Sequence, residues 1–72
     1  MGSGYVVGEP NMSEPMPSRL HPGWEVALHR YPATGNVWLW LRQEGAELWR
    51  PERAATEPDV EVFRRAGKLR GA

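Results

Sequence analysis

Two histidines, nine carboxylates and four tryptophans are the chemically versatile side chains of this 72-residue chain. Their spacing limits what they can do. General-base work by His29 needs an acidic or nucleophilic partner within hydrogen-bond reach. Glu25 shares the His29 face of an extended strand, but four positions away, about 13 Å at the usual strand rise. His21 precedes Pro22 in a proline-rich stretch. The three serines (Ser3, Ser13 and Ser18) all lie near the N-terminus, and there is no cysteine. No Ser-His-Asp or Cys-His set can be assembled. Neither a phosphate-cradling glycine loop nor a histidine with carboxylates at helical spacing is present. No catalytic residue is therefore expected, and a small enzyme built on His29 is the weakest reading.

The missing cysteines also exclude disulfides, iron–sulfur clusters and thiolate zinc sites. Two histidines eight positions apart do not make a metal site. No cofactor and no metal are expected.

Aromatic recognition fits the residues better. In "NVWLWLRQ", residues 36–43, Val37, Trp38, Leu39, Trp40 and Leu41 are all apolar. A strand with one wet face alternates apolar and polar residues, so both faces of this one must be covered. Its neighbour "WEVALHRY" does alternate. Trp24, Val26 and Leu28 fall on one face, and Glu25, Ala27 and His29 on the other.

"PATGN" between the two runs predicts a hairpin with a four-residue loop. Pro32 suits the second position of a type I turn, and Gly35 the left-handed position that closes it. This loop pairs Tyr31 with Asn36, Leu28 with Leu39 and Val26 with Leu41. On the opposite face it pairs His29 with Trp38, Ala27 with Trp40 and Glu25 with Arg42. A one-residue slip would scramble this sorting.

"EGAELWRP" predicts a second hairpin with a Glu44-Gly45 turn and a short third strand stopped by Pro51. That register sets Leu41 against Leu48, Trp40 against Trp49, and Arg42 against Glu47. Glu-Gly is a poor tight-turn pair, and a bulge at Gly45 would turn Trp49 to the other face.

From about Glu57 the pattern turns helical for ~14 residues, ~21 Å of helix. Thr56 is placed to cap it, Pro58 falls in the first turn, and Asp59 stands where a capping box needs it. Val60, Val62, Phe63, Ala66, Gly67 and Leu69 form the inner side, while Glu61, Arg64, Arg65 and Lys68 point away. A strand over "DVEVF" is the local alternative. The expected fold is thus α+β: an antiparallel sheet of three or four strands, (β)βββα. The C-terminal helix lies on the Val26, Leu28, Leu39 and Leu41 face, within a single domain of residues 23–72. Residues 1–22 form a Pro/Gly-rich arm holding a possible short edge strand over 4–9. The opening "MGSG" reads as disordered or as a cloning scar, and Val6 breaks the myristoylation pattern.

One helix covers one face of such a sheet. The other face gathers Trp38, Trp40, Trp49, His29 and Arg42, with Arg42 between Glu25 and Glu47. Left in water, three indoles make a patch of several hundred Å², at the limit of what soluble monomers expose. The arm, a second copy of the chain or a dissociable partner can cover it. A core of this size supplies only about 3–5 kcal/mol, which favours self-association as reinforcement. The expected function is therefore non-catalytic: self-association as a homodimer, or protein binding, through the Trp-rich face.

The alternative is a single-stranded nucleic-acid-binding module. It would use the same indoles for stacking and Arg64, Arg65, Lys68 and Arg70 for phosphates. Nine basic and nine acidic residues cancel, which disfavours it. Cations at a helix C-terminus also have an ordinary electrostatic role. No run approaches the ~18 apolar residues of a membrane span, so a cytoplasmic protein is expected. Eight arginines to one lysine, with three Asn and Gln in total, suggest a thermophilic or GC-rich bacterial source.

Overall fold

A computed structural model describes residues 6, 7 and 9–71. Over these the chain is α+β. Strands β1 (Val6–Val7), β2 (Met16–Pro17), β3 (Trp24–Arg30), β4 (Val37–Gln43) and β5 (Leu48–Ala54) precede one helix, α1 (Glu57–Arg65). The strands form one antiparallel sheet in the order β1-β5-β4-β3-β2. Three long strands followed by a helix are the βββα core that the sequence predicts. Of the edge strand expected over 4–9, Val6 and Val7 pair with Trp49 and Leu48. Residues 4, 5 and 8, and the expectations for "MGSG", lie outside the described residues.

The β3–β4 hairpin has the predicted register at every position, from Trp24 opposite Gln43 to Arg30 opposite Val37. Its loop closes as the residues require. The Tyr31 and Gly35 N–H groups donate to Asn36 O at 2.9 Å and Tyr31 O at 2.7 Å. Gly35 adopts a left-handed φ of 76°. The sorting of faces follows. Leu28, Leu39 and Phe63 form one buried cluster under α1, with Val26, Val37 and Val60 against it. Ala27, Trp40 and Trp49 form a second cluster on the opposite face.

The second hairpin departs from the prediction. Leu41 faces Arg50 and Trp40 faces Pro51, so the register is two residues from the expected one. Strand β5 does not stop at Pro51 but runs on to Ala54. Because Leu39 pairs with Arg53, Glu52 is an extra residue on β5, a bulge. A proline is tolerated beside such a break in the ladder. The bulge also re-aims the strand. Without it Glu52 would face Leu39 and meet Asp59; with it Arg53 faces the helix and binds Asp59 at 2.7 Å. A like-charge encounter is replaced by an ion pair.

Helix α1 begins as predicted. The Asp59 carboxylate accepts the Thr56 N–H at 2.7 Å and its hydroxyl at 2.9 Å. The helix is shorter than expected, nine residues. The inner-face pattern runs on to Leu69, but Gly67 takes φ 71° and stops the helix. The Lys68 N–H donates to Phe63 O and the Gly67 N–H to Arg64 O, the paired bonds of a Schellman cap.

The Pro-rich arm is built into the fold. The Asn11 amide side chain donates to Arg30 O and accepts the Arg30 N–H. The Met12 N–H donates to Leu28 O at 3.1 Å. The fully buried Ser13 hydroxyl accepts the Leu28 N–H at 2.8 Å and donates to Glu14 O at 3.1 Å. On its other side the arm meets the chain beyond α1. The Arg70 N–H donates to Met12 O, and the Glu14 N–H to Lys68 O.

Candidate functional site

The five residues expected to form an interaction face do share one face. Trp38, Trp40 and Arg42 alternate along β4, His29 lies on β3, and a two-residue shift of β5 leaves Trp49 on the same side. What the face does with them is built by packing. The His29 imidazole stacks on Trp40, ring centroids 3.8 Å apart and planes at 17°. Tyr31 meets His29 edge-on at 5.1 Å, and its hydroxyl oxygen accepts the Trp40 indole N–H at 3.2 Å. The Arg42 guanidinium lies 4.5 Å above the Trp49 ring and donates to Glu25 at 2.8 Å. Among the described residues the second carboxylate expected on Arg42, Glu47, is not among its partners: Leu41 pairs with Arg50, and Arg42 lies over Trp49 instead.

This face is closed at its centre. Trp49 is 0% and Trp40 3% exposed, while Trp38 is half-buried. The chain itself supplies cover. Strand β1 lies outside β5, whereas Asn11 lies on the outer edge of β3, so β5, β4 and β3 all stand between them. Asn11 reaches the tryptophan side, where its N–H donates to Nδ1 of His29 at 3.3 Å. Pro10, its neighbour in the chain, is fully buried. That bond leaves the His29 proton on Nε2. Burial holds the imidazole below its ordinary pKa. With Nδ1 engaged, one ring face against Trp40 and Glu25 committed to Arg42, His29 has no acidic partner among the described residues.

Of the four basic residues expected to meet phosphates, three have carboxylate partners. Glu61 binds both Arg64 and Arg65, and Arg70 lies 3.4 Å from Glu14 and 3.8 Å from Glu9. Lys68 is half-buried. Among the described residues no cluster of three or more His, Asp or Glu side chains is placed to hold a metal ion. No helix among them is long and apolar enough to cross a membrane.

The open apolar surface lies on the opposite side of the sheet, where the sequence gives little sign of it. A groove of about 290 Å³ runs between α1 and the β2–β3 connection. Val26, Leu39 and Phe63 form its floor, and Met16 one wall. At its rim stand Leu20, 80% exposed, and Val62, 42% exposed. Arg19, Arg53 and Asp59 also line it. Leu20 falls in the non-periodic arm, and Val62 reads as one more inner-face residue of a helix. Their adjacency comes only with the fold. Beside known proteins, the chain matches no family model, no curated protein and no solved structure.

Proposed function

We propose that this chain is a non-catalytic protein-recognition domain. The observation that carries the reading is the contrast between its two apolar surfaces. Trp40 and Trp49 are buried within the chain, whereas the groove beneath Leu20 and Val62 stays open. Exposed apolar rims over an apolar floor mark interaction sites. At about 290 Å³ the groove is at the lower end of small-molecule clefts and suits side chains better than a cofactor. The partner is another protein or a second copy of this chain. Single-strand stacking has less support, since Trp40 and Trp49 offer no open ring face and three of the four candidate basic residues are ion-paired.

Amide shift mapping with N-acetyl-leucinamide and N-acetyl-tryptophanamide at millimolar concentration tests the reading. Shifts are expected at Leu39, Val62 and Phe63. Shifts scattered over the surface, or none, would remove it. Sedimentation over a concentration series decides between self and foreign partner.

A further inference from the structure

The identity of the partner rests on the groove being a recognition site. We propose that its occupant is an extended peptide segment of another protein, carrying a large apolar side chain beside a carboxylate. Volume supplies the first reason. About 290 Å³ accepts one or a few side chains, as a short extended segment presents them.

Charge supplies the second. Three ionic side chains line the groove, and two cancel: Arg53 and Asp59 form a two-pronged pair at 2.7 and 3.0 Å. Arg19 has no carboxylate within ion-pair distance among the described residues. The groove therefore presents one uncompensated positive charge. A carboxylate entering it gains a partner, and a cation is repelled.

Position supplies the third. Arg19 is followed directly by Leu20, the most exposed large apolar side chain described. The cation and the apolar rim are thus neighbours on one short stretch. Complementary groups on a bound segment must be similarly close, within about two residues at 3.3 Å per extended residue. The pair formed with Arg19 is solvent-exposed, so it tunes affinity by a few-fold and is weakened by salt. The apolar side chain supplies most of the binding.

A displayed library of random ten-residue peptides, selected against the full chain, tests this. Selected peptides should join Leu, Ile, Met or Phe to Asp or Glu within two positions. As labelled synthetic peptides they should bind Val62→Lys at least about tenfold more weakly and Arg19→Glu about fivefold more weakly. Replacing the acid by lysine should restore binding to Arg19→Glu. Both substitutions are at exposed positions, and circular dichroism checks that the variants fold. Peptides that lose affinity on Val62→Lys but lack an acid and ignore Arg19→Glu would overturn the proposed occupant and leave the groove standing. So would a dimer that Val62→Lys dissolves. Failure to select any peptide, or peptides indifferent to Val62→Lys, would overturn the groove as well.

Discussion

His29 and Trp40 lie on neighbouring strands, one diagonal step out of register, and their rings stack at 3.8 Å. The stack gives the imidazole an apolar bed, and the Asn11 N–H points at Nδ1. Both conditions favour the neutral ring, in line with its lowered pKa. The folded state thus binds this proton less readily than the unfolded chain. Stability is complete above the unfolded value of about 6.5, falls as pH drops below it, and levels off under the folded value. Urea midpoints at pH 7.5, 6.0 and 5.0 should show this decline. His29→Phe keeps a ring on Trp40 and should flatten the profile through this window. An unchanged slope in that variant would assign the decline to other groups.

Asp59 joins three donors: the Arg53 guanidinium, the Thr56 N–H and the Thr56 hydroxyl. The Arg53 bond, the largest cause, and the Thr56 bonds hold the carboxyl well below the usual range. A depressed carboxyl contributes stability above its unfolded pKa of about 4, lost as pH falls through the folded value. Asp59→Ala should cost roughly 1–2 kcal/mol at neutral pH, as cap losses do. It should also remove part of the acid sensitivity below about pH 4. Arg53→Met, at a half-exposed side chain, should cost less than about 1 kcal/mol. Equal costs for the two variants would mean that the ion pair, not the cap, dominates.

Ser13 sits in a segment whose composition suggests a linker, yet its hydroxyl receives a buried backbone N–H from β3. Ser13→Ala leaves the Leu28 N–H without that acceptor. The expected loss is about 1–3 kcal/mol, far above that of a surface serine. Chemical denaturation measures it, and a change within about 0.5 kcal/mol would show that the arm contributes little.

Trp49→Ala should remove roughly 3–5 kcal/mol, comparable to the whole stability of a domain this small. The variant is expected to be largely unfolded by circular dichroism at 25 °C. Trp49→Phe should be far milder. The indole N–H has no acceptor among the described residues, so the phenyl ring gives up packing volume but no hydrogen bond. A Trp49→Phe variant as damaged as Trp49→Ala would contradict this.

The β3–β4 hairpin is legible because two independent signals agree. The loop chemistry of Pro32 and Gly35 and the sorting of apolar residues onto one face both select the same register. The start of α1 is legible for the same reason, with Thr56, Pro58 and Asp59 all pointing to one boundary. Where a single weak signal governs, the outcome differs. Glu44 and Gly45 say little about turn length, so the β4–β5 register comes out two residues away. Trp49 still lands on the expected face because a shift of two preserves parity. Pro51 reads as a terminator, and only the bulge at Glu52, fixed by Arg53 and Asp59 across space, lets the strand continue. The arm is least legible. Its place depends on Ser13 meeting Leu28 and on Met12 meeting Arg70, contacts between residues 15 and 58 positions apart. No local pattern encodes these.

The prolines and the bulge have one more consequence, for how the protein behaves in a crowd. Both borders of the described sheet, β2 on one side and the stretch of β5 beyond its pairing with β1 on the other, are poor templates. Pro17 in β2, and Pro15 beside it, offer no backbone donors, and the free part of β5 carries Arg50, Pro51, Glu52 and Arg53 around an irregular ladder. A sheet with charged, proline-bearing borders resists growth by adding a neighbour's strand, the usual route to fibrils. Pairing edge to edge is thereby disfavoured relative to contact through a face.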